Sequence, residues 1–126
     1  MTERHPSDGW PVLPFATAAA FEAWLDKHHA DGTGLWVKFA KQNRGIASVT
    51  FDEALEVAMC FGWVDSKMYR VDDDYYVLRW QRRRPKSNWS VRNKELAQLL
   101  IAQGRMRPSG LAQIEAAKAD GRWNAS

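Results

Sequence analysis

The segment from Trp63 to Gln81 constrains the fold more than any other part of this chain. Its two halves, Trp63–Val71 and Tyr75–Gln81, are rich in the aromatic and β-branched residues that strands favour. Three aspartates, Asp72–Asp74, separate the halves. This pattern predicts a β-hairpin with an acidic turn.

Helical patterns precede the hairpin. Apolar residues recur at helical spacing from Phe21 onward and predict a helix from about Thr17 to His29, with Thr17 as its N-cap. A second helix is predicted to begin at Thr50–Glu53, which has the form of a capping box, and to end near Gly62.

The remaining elements complete the predicted architecture. Residues Leu35–Phe39 alternate between apolar and more polar side chains and predict a strand. Two helices follow the hairpin, the first from about Trp89 or Ser90 to Gly104 and the second from Pro108 to Gly121. We therefore predict an α+β fold, a small and mainly antiparallel sheet of about three strands with four helices packed against it.

Length and composition indicate a single domain. The chain has 126 residues, of which 45% are apolar and 26% are charged, as in an ordinary globular protein. Residues 1–14 contain three prolines and are predicted to form an extended arm, with residues 15–126 as the domain. No apolar run approaches the ~20 residues of a membrane span. The N-terminus has no secretory signal pattern and Cys60 has no cysteine partner, so we expect a cytoplasmic protein.

Positive charge is concentrated in one segment. From Tyr75 to Lys94 there are seven basic residues and no acidic ones, whereas the rest of the chain has eleven basic and fifteen acidic residues. The net charge of +3 is thus the sum of +7 in this segment and −4 in the rest of the chain. Arginines beside hydroxyl groups suit phosphate, sulfate or carboxylate, although charge runs are also common on plain solvated surfaces.

Ten residues form the predicted ligand- and anion-binding surface. The arginines and the lysine supply charge, the serines and the asparagine supply hydrogen bonds, and the remaining residues support them. Each type also has a structural interpretation: a serine caps a helix, an aspartate pairs with an arginine, and a tryptophan packs in the core. The ten are Trp63, Asp65, Arg82, Arg83, Arg84, Lys86, Ser87, Trp89, Ser90 and Asn93.

We expect neither a metal nor a cofactor. A single cysteine excludes a cysteine-based zinc site within one chain. His28 and His29 are adjacent on a predicted helix, where successive side chains point about 100° apart. The sequence also lacks a glycine-rich phosphate loop and a dinucleotide fingerprint. Catalytic residues stay unassigned.

Three motifs follow one another in the second half of the chain, at Cys60–Asp65, Arg84–Ser90 and Gly104–Leu111. Through them the chain resembles the YdeI/OmpD-associated (bacteriocin-protection, OmdA-like) family, from about Phe15 to the C-terminus. The resemblance implies a bacterial or archaeal protein associated with tolerance of cationic antimicrobial peptides and with outer-membrane partners.

The residues and the resemblance together favour a non-enzymatic binding or stress-protection protein whose partner is an anionic small molecule or a protein. Two alternatives stay open. A nucleic-acid-binding protein would use the same arginines, with Trp80 and Trp89 as stacking platforms. A small-molecule enzyme would use Asp65 with an arginine clamp, which requires Asp65 to lie beside Arg84 or Ser87.

Overall fold

Strands and helices alternate along most of the chain in a computed structural model that describes residues 3–84 and 86–124. The predicted α+β class is confirmed for these residues, as a single domain. In chain order the elements are β1 (Val12–Pro14), α1 (Ala18–His28), β2 (Leu35–Ala40), α2 (Phe51–Cys60), β3 (Trp63–Arg70), β4 (Tyr75–Arg82), α3 (Val91–Ala102), α4 (Pro108–Ala119) and a 3-10 turn (Arg122–Asn124).

The predicted hairpin is confirmed and forms half of the sheet. The strand order is β1-β2-β4-β3, and β4 pairs antiparallel with both β2 and β3. At the acidic turn, the Asp72 carboxylate accepts hydrogen bonds from the backbone N–H groups of Asp74 at 2.8 Å and Tyr75 at 2.9 Å. The turn is thus closed by its own first aspartate.

The prediction of about three strands is wrong by one. Residues Val12–Pro14 form β1, which pairs in parallel with β2 in the register Val12↔Trp36, and α1 is the crossover between the two strands. Pro11 and Pro14 conceal this strand in the sequence, because proline disfavours a strand except at an edge such as this one. The last three residues of the predicted arm therefore belong to the sheet. Residues 1 and 2 of the arm lie outside the described structure.

The predicted helix starts are confirmed by their caps. Thr17 Oγ1 accepts from the Ala20 N–H at 3.1 Å. Thr50 and Glu53 form a reciprocal capping box. Ser90 Oγ accepts from the Asn93 N–H at 3.1 Å, which places the start of α3 one residue after the serine. Each cap satisfies a backbone donor that the helix leaves free.

The two faces of the sheet are covered differently. On one face, Leu35, Val37 and Trp80 belong to the main core together with apolar residues of all four α-helices. On the other face, Trp36 and Val77 form a separate small cluster beneath the N-terminal arm. Both clusters exclude water from the sheet, so residues on either face of β4 are held firmly.

Two further observations concern the described residues alone. None of their helices has the length and apolar content that crossing a bilayer requires. Within the same residues, no group of three or more His, Cys, Asp or Glu side chains is arranged to hold a metal ion.

Candidate anion-binding site

The arginines at the end of β4 separate into two environments. Trp80 is fully buried on the helical face of the sheet, and the arginine-rich segment begins beside it and continues past the end of the strand. Arg83 is buried, whereas Arg82 and Arg84 on either side of it are exposed. This alternation divides the predicted anion-binding surface into an enclosed part and an open part.

Arg83 lies in an enclosed part that we name the Arg83 cage, formed by Ser87, Asn88, Trp89 and Asn93. Its Nη1 donates to Ser87 Oγ at 3.3 Å and to the Asn88 carbonyl at 3.2 Å, and its Nη2 donates to Asn93 Oδ1 at 3.2 Å. The guanidinium carbon lies 3.9 Å from the centroid of the Trp89 ring. The side chain therefore ties the loop after β4 to the first turn of α3.

The charge of Arg83 has little electrostatic compensation. Only 4% of the residue is exposed, and the described residues offer its Nε–H no hydrogen-bond partner. Burial lowers the pKa of Arg83 to about 10; the nearby Asp65 charge opposes this shift and Arg122 adds to it. Arg83 stays protonated at neutral pH, but its hydrogen-bond acceptors among the described residues are all neutral groups.

The open part is a solvent-accessible depression of about 280 Å³ that we name the arginine cleft. It lies where the loop between α1 and β2 meets the end of β4. None of its described lining residues is acidic, and three are arginines. The lining consists of Trp10, Gly32, Thr33, Gly34, Arg79, Gln81, Arg82 and Arg84.

The three arginines of the cleft differ in how they are paired. Arg79 Nε donates to the Asp8 carboxylate at 3.0 Å, and its Nη1 donates to Gln81 Oε1. The side chains of Arg82 and Arg84 make no ion pair or hydrogen bond with any other described residue. The cleft therefore carries two uncompensated guanidinium groups beside a third whose charge is offset by the arm.

The N-terminal arm builds one wall of the cleft. Asp8 accepts from Trp36 Nε1 at 3.0 Å and from the Trp10 N–H at 2.9 Å, which fixes the arm across the outer face of the sheet. The Arg79 guanidinium lies 4.0 Å from the centroid of a Trp10 ring. On its other side Trp10 packs so closely on Gly34 that a Cβ there would lie 2.2 Å from its Cζ3. The wall is thus rigid.

The structure does not bring the ten predicted residues together at one site. Arg82 and Arg84 line the arginine cleft, and Lys86 is exposed outside its lining. Arg83, Ser87, Trp89 and Asn93 belong to the cage, and Ser90 caps α3.

Three of the ten predicted residues are buried and do not lie on the surface. Trp63, Arg83 and Trp89 are 1%, 4% and 3% exposed, so they do not present a surface to a ligand. Their role is to support the fold, because large flat rings and the guanidinium fill space between the sheet and the helices. Cys60, 2% exposed, is likewise a small buried apolar residue as predicted.

Asp65 does not join the cleft. It is half-buried on β3 opposite Trp80, and its carboxylate makes no hydrogen bond or ion pair with another described residue, including Arg84 and Ser87. Its closest connection to the arginines is electrostatic, through its effect on the pKa of Arg83. The arrangement required for an Asp65–Arg84 clamp is therefore not formed.

Six of the eight lining residues of the cleft are not among the ten residues predicted from the sequence. These six residues come from the N-terminal arm, from β4 and from the loop between α1 and β2: Trp10, Arg79, Gln81, Gly32, Thr33 and Gly34. One signal was present: Arg79 and Gln81 lie two residues apart on a strand, so they share a face. No local pattern indicates that the arm and the turn meet there.

Comparison with known proteins gives a family without a described activity. No curated protein and no solved structure matches the chain significantly. The model of one family, described as a domain of unknown function, DUF8412, matches residues 13–113, from β1 to the first half of α4. Because this match spans most of the chain, the protein belongs to the DUF8412 family.

Proposed function

We propose that this protein is a non-enzymatic binding protein for a small anion and that the arginine cleft is its binding site. The observation that carries the proposal is the presence of two unpaired arginines, Arg82 and Arg84, in a cleft without a described acidic lining residue. A guanidinium group presents its N–H donors in a planar fork that matches two oxygens of a phosphate or carboxylate. Two such groups favour an anion with two charges.

The size of the cleft narrows the class of ligand. A volume of about 280 Å³ accommodates inorganic phosphate, pyrophosphate or a small phosphate ester. The Thr33 hydroxyl and the Gln81 amide lie in the same lining and add neutral hydrogen-bonding groups. These neutral groups suit phosphate oxygens that the two free arginines do not engage.

Nucleic acid and catalysis receive less support. The nucleic-acid alternative relied on Trp80 and Trp89 as stacking platforms, but these residues are 0% and 3% exposed. The enzyme alternative requires Asp65 beside Arg84 or Ser87. Asp65 does not line the arginine cleft, and its carboxylate makes no hydrogen bond with the described residues of the Arg83 cage. Binding of a small anion requires only the exposed residues of the cleft, such as Arg82 and Arg84.

Thermal unfolding with pyrophosphate as the probe tests the proposal. Pyrophosphate at 100 times its Kd should stabilise the folded protein by roughly 2.7 kcal/mol. Arg84→Gln should lose most of this stabilisation, whereas Lys27→Gln, which removes the same charge from α1, should keep it. Equal stabilisation of both variants, or none in the unsubstituted protein, would show that the cleft is not the site.

We further propose that anion binding serves a stress-protection role, as the resemblance to YdeI/OmpD-associated proteins suggests. A positive cleft repels a cationic peptide, so any protection must act through an anionic ligand rather than by peptide capture. Expression in a bacterium exposed to a cationic antimicrobial peptide should raise survival, and Arg84→Gln should reduce the gain. Equal protection by the unsubstituted protein and by Arg84→Gln would show that protection does not depend on the cleft.

A further inference from the structure

A second cavity of about 440 Å³, larger than the arginine cleft, lies between the loop that follows β2 and the first turn of α2. It shares no lining residue with the arginine cleft. Its volume falls within the range of small-molecule sites. We name it the loop cavity; the residues that matter for its chemistry are Lys41, Arg44, Ile46, Phe51, Asp52 and Tyr76.

One side of the loop cavity is apolar and rigid. Ile46 and Phe51 are 38% and 37% exposed, which leaves apolar surface open to a ligand. Phe51 lies 6.3 Å, centroid to centroid, from the buried ring of Trp80, and Tyr76 is stacked on Phe39 at 5.3 Å. The core therefore supports both rings from behind. A flat aromatic ring of a ligand would pack well against these side chains.

Neutral hydrogen-bonding groups lie above this wall. The hydroxyl of Tyr76 and the side-chain amides of Gln42 and Asn43 make no hydrogen bond with other described residues. Burial raises the pKa of Tyr76, so its hydroxyl keeps its proton at neutral pH and can donate as well as accept. Asn43 has a φ of 66°, a conformation that few residues other than glycine adopt.

Both signs of charge line the loop cavity. Lys41 Nζ donates to the backbone carbonyl of Asp72 at 2.9 Å, a neutral acceptor, and Arg44 Nε is 3.7 Å from Asp74 in a half-exposed pair. Such an exposed pair is weak and leaves Arg44 able to exchange partners. The Asp52 carboxylate makes no ion pair or hydrogen bond with another described residue.

We propose that the loop cavity binds a free aromatic α-amino acid. The aromatic ring lies against Phe51 and Tyr76, the carboxylate pairs with Lys41 or Arg44, and the ammonium group pairs with Asp52. An aromatic zwitterion is the simplest ligand that uses the wall and both charges at once. This inference is independent of the anion proposed for the arginine cleft.

A series of small probes tests each element of the inference by calorimetry. L-Phenylalanine should bind saturably, with a Kd below about 1 mM. N-Acetyl-L-phenylalanine lacks the ammonium group, phenethylamine lacks the carboxylate and L-leucine lacks the ring, so each should bind at least about fivefold more weakly. Equal affinity for all four compounds, or no saturable binding of L-phenylalanine, contradicts the inference.

Charge-removing variants assign the site. Asp52→Asn and Arg44→Gln alter exposed side chains and should each weaken L-phenylalanine binding at least about fivefold, with the far-ultraviolet circular dichroism spectrum unchanged. Arg84→Gln in the arginine cleft should leave this binding as it is, and Asp52→Asn should leave pyrophosphate binding as it is. If Asp52→Asn and Arg44→Gln bind L-phenylalanine as the unsubstituted protein does, the loop cavity is not its site.

Discussion

At the scale of single residues, Arg83 and its neighbours have opposite roles despite being adjacent in sequence. Arg83 fills a closed cage and orders the loop that leads into α3, whereas Arg82 and Arg84 face an open cleft. Burying a charged arginine beside neutral acceptors costs free energy. The hydrogen bonds and packing of Arg83 must offset this cost, so their loss should destabilise the fold. This difference predicts different effects on stability.

Arg83→Ala should destabilise the protein by about 2–4 kcal/mol, because it removes three hydrogen bonds and leaves a void beside Trp89. Arg82→Ala removes an exposed side chain and should change stability by no more than about 0.5 kcal/mol. Urea unfolding measures both values. Similar stability of the two variants would contradict the structural role assigned to the cage.

Asp8 is the residue that joins the arm to the cleft, and its ionisation should be visible in stability. Burial alone would raise the pKa of Asp8, but hydrogen bonds from the Trp10 N–H, Arg79 and Trp36 outweigh burial and lower it. A lowered pKa means that the ionised carboxylate stabilises the folded state. This contribution is present above the ordinary pKa of the carboxyl group and is lost as pH falls through the lowered pKa.

Asp8→Asn should therefore cost about 1–2 kcal/mol at pH 7, because charge-assisted hydrogen bonds are replaced by neutral ones. The difference between the two proteins should shrink as pH falls through the lowered pKa of Asp8, where its carboxylate becomes protonated. Urea unfolding at a series of acidic pH values measures the difference. A difference that does not shrink as the carboxylate is protonated would show that the charge of Asp8 does not hold the arm.

At the scale of elements, α4 approaches the end of α2 closely at Gly110. A Cβ on Gly110 of α4 would lie 2.2 Å from the carbonyl oxygen of Cys60 at the end of α2. The Ser109 hydroxyl donates to the Phe61 carbonyl at 2.9 Å in the same region. The absence of a side chain at position 110 thus sets the distance between these two helices.

Gly110→Ala should destabilise the protein by at least about 1–3 kcal/mol, because the helices must move apart to admit a methyl group. In an open helix interior the same change stabilises by about 1 kcal/mol, so the sign of the effect distinguishes the two situations. Thermal or urea unfolding gives the sign directly. A stabilised variant would mean that the two helices do not approach each other so closely.

Elements whose signals are local were predictable from sequence. The hairpin, the Thr50 capping box and the Ser90 cap depend on residues within a few positions of one another. The cleft depends on distant contacts: Asp8 and Arg79 are separated by 71 residues. Strand β1 gave a weak signal because its pairing to β2 is decided by the tertiary fold and not by its own three residues.

At the scale of the whole molecule, the basic segment from Tyr75 to Lys94 can bind an anion only where the fold leaves its cationic side chains exposed and unpaired. Of the basic residues between Tyr75 and Lys94, Arg79 is neutralised by Asp8 and Arg83 is enclosed. The side chains of Arg82 and Arg84 have no partner among the described residues, and they lie where β4 ends, beside the turn that links α1 to β2. The central claim is therefore that this one cleft, and not the basic segment as a whole, binds an anion.

The most direct measurement is a pyrophosphate titration of the isotope-labelled protein followed by nuclear magnetic resonance of backbone amides and arginine Nε–H groups. We predict saturable shifts at Gly32–Gly34 and at Gln81–Arg84, with the largest side-chain shifts at Arg82 and Arg84, and small shifts at Arg92 and Lys118. Shifts of similar size at all exposed cations, or shifts that do not saturate, would contradict a defined anion site in the arginine cleft.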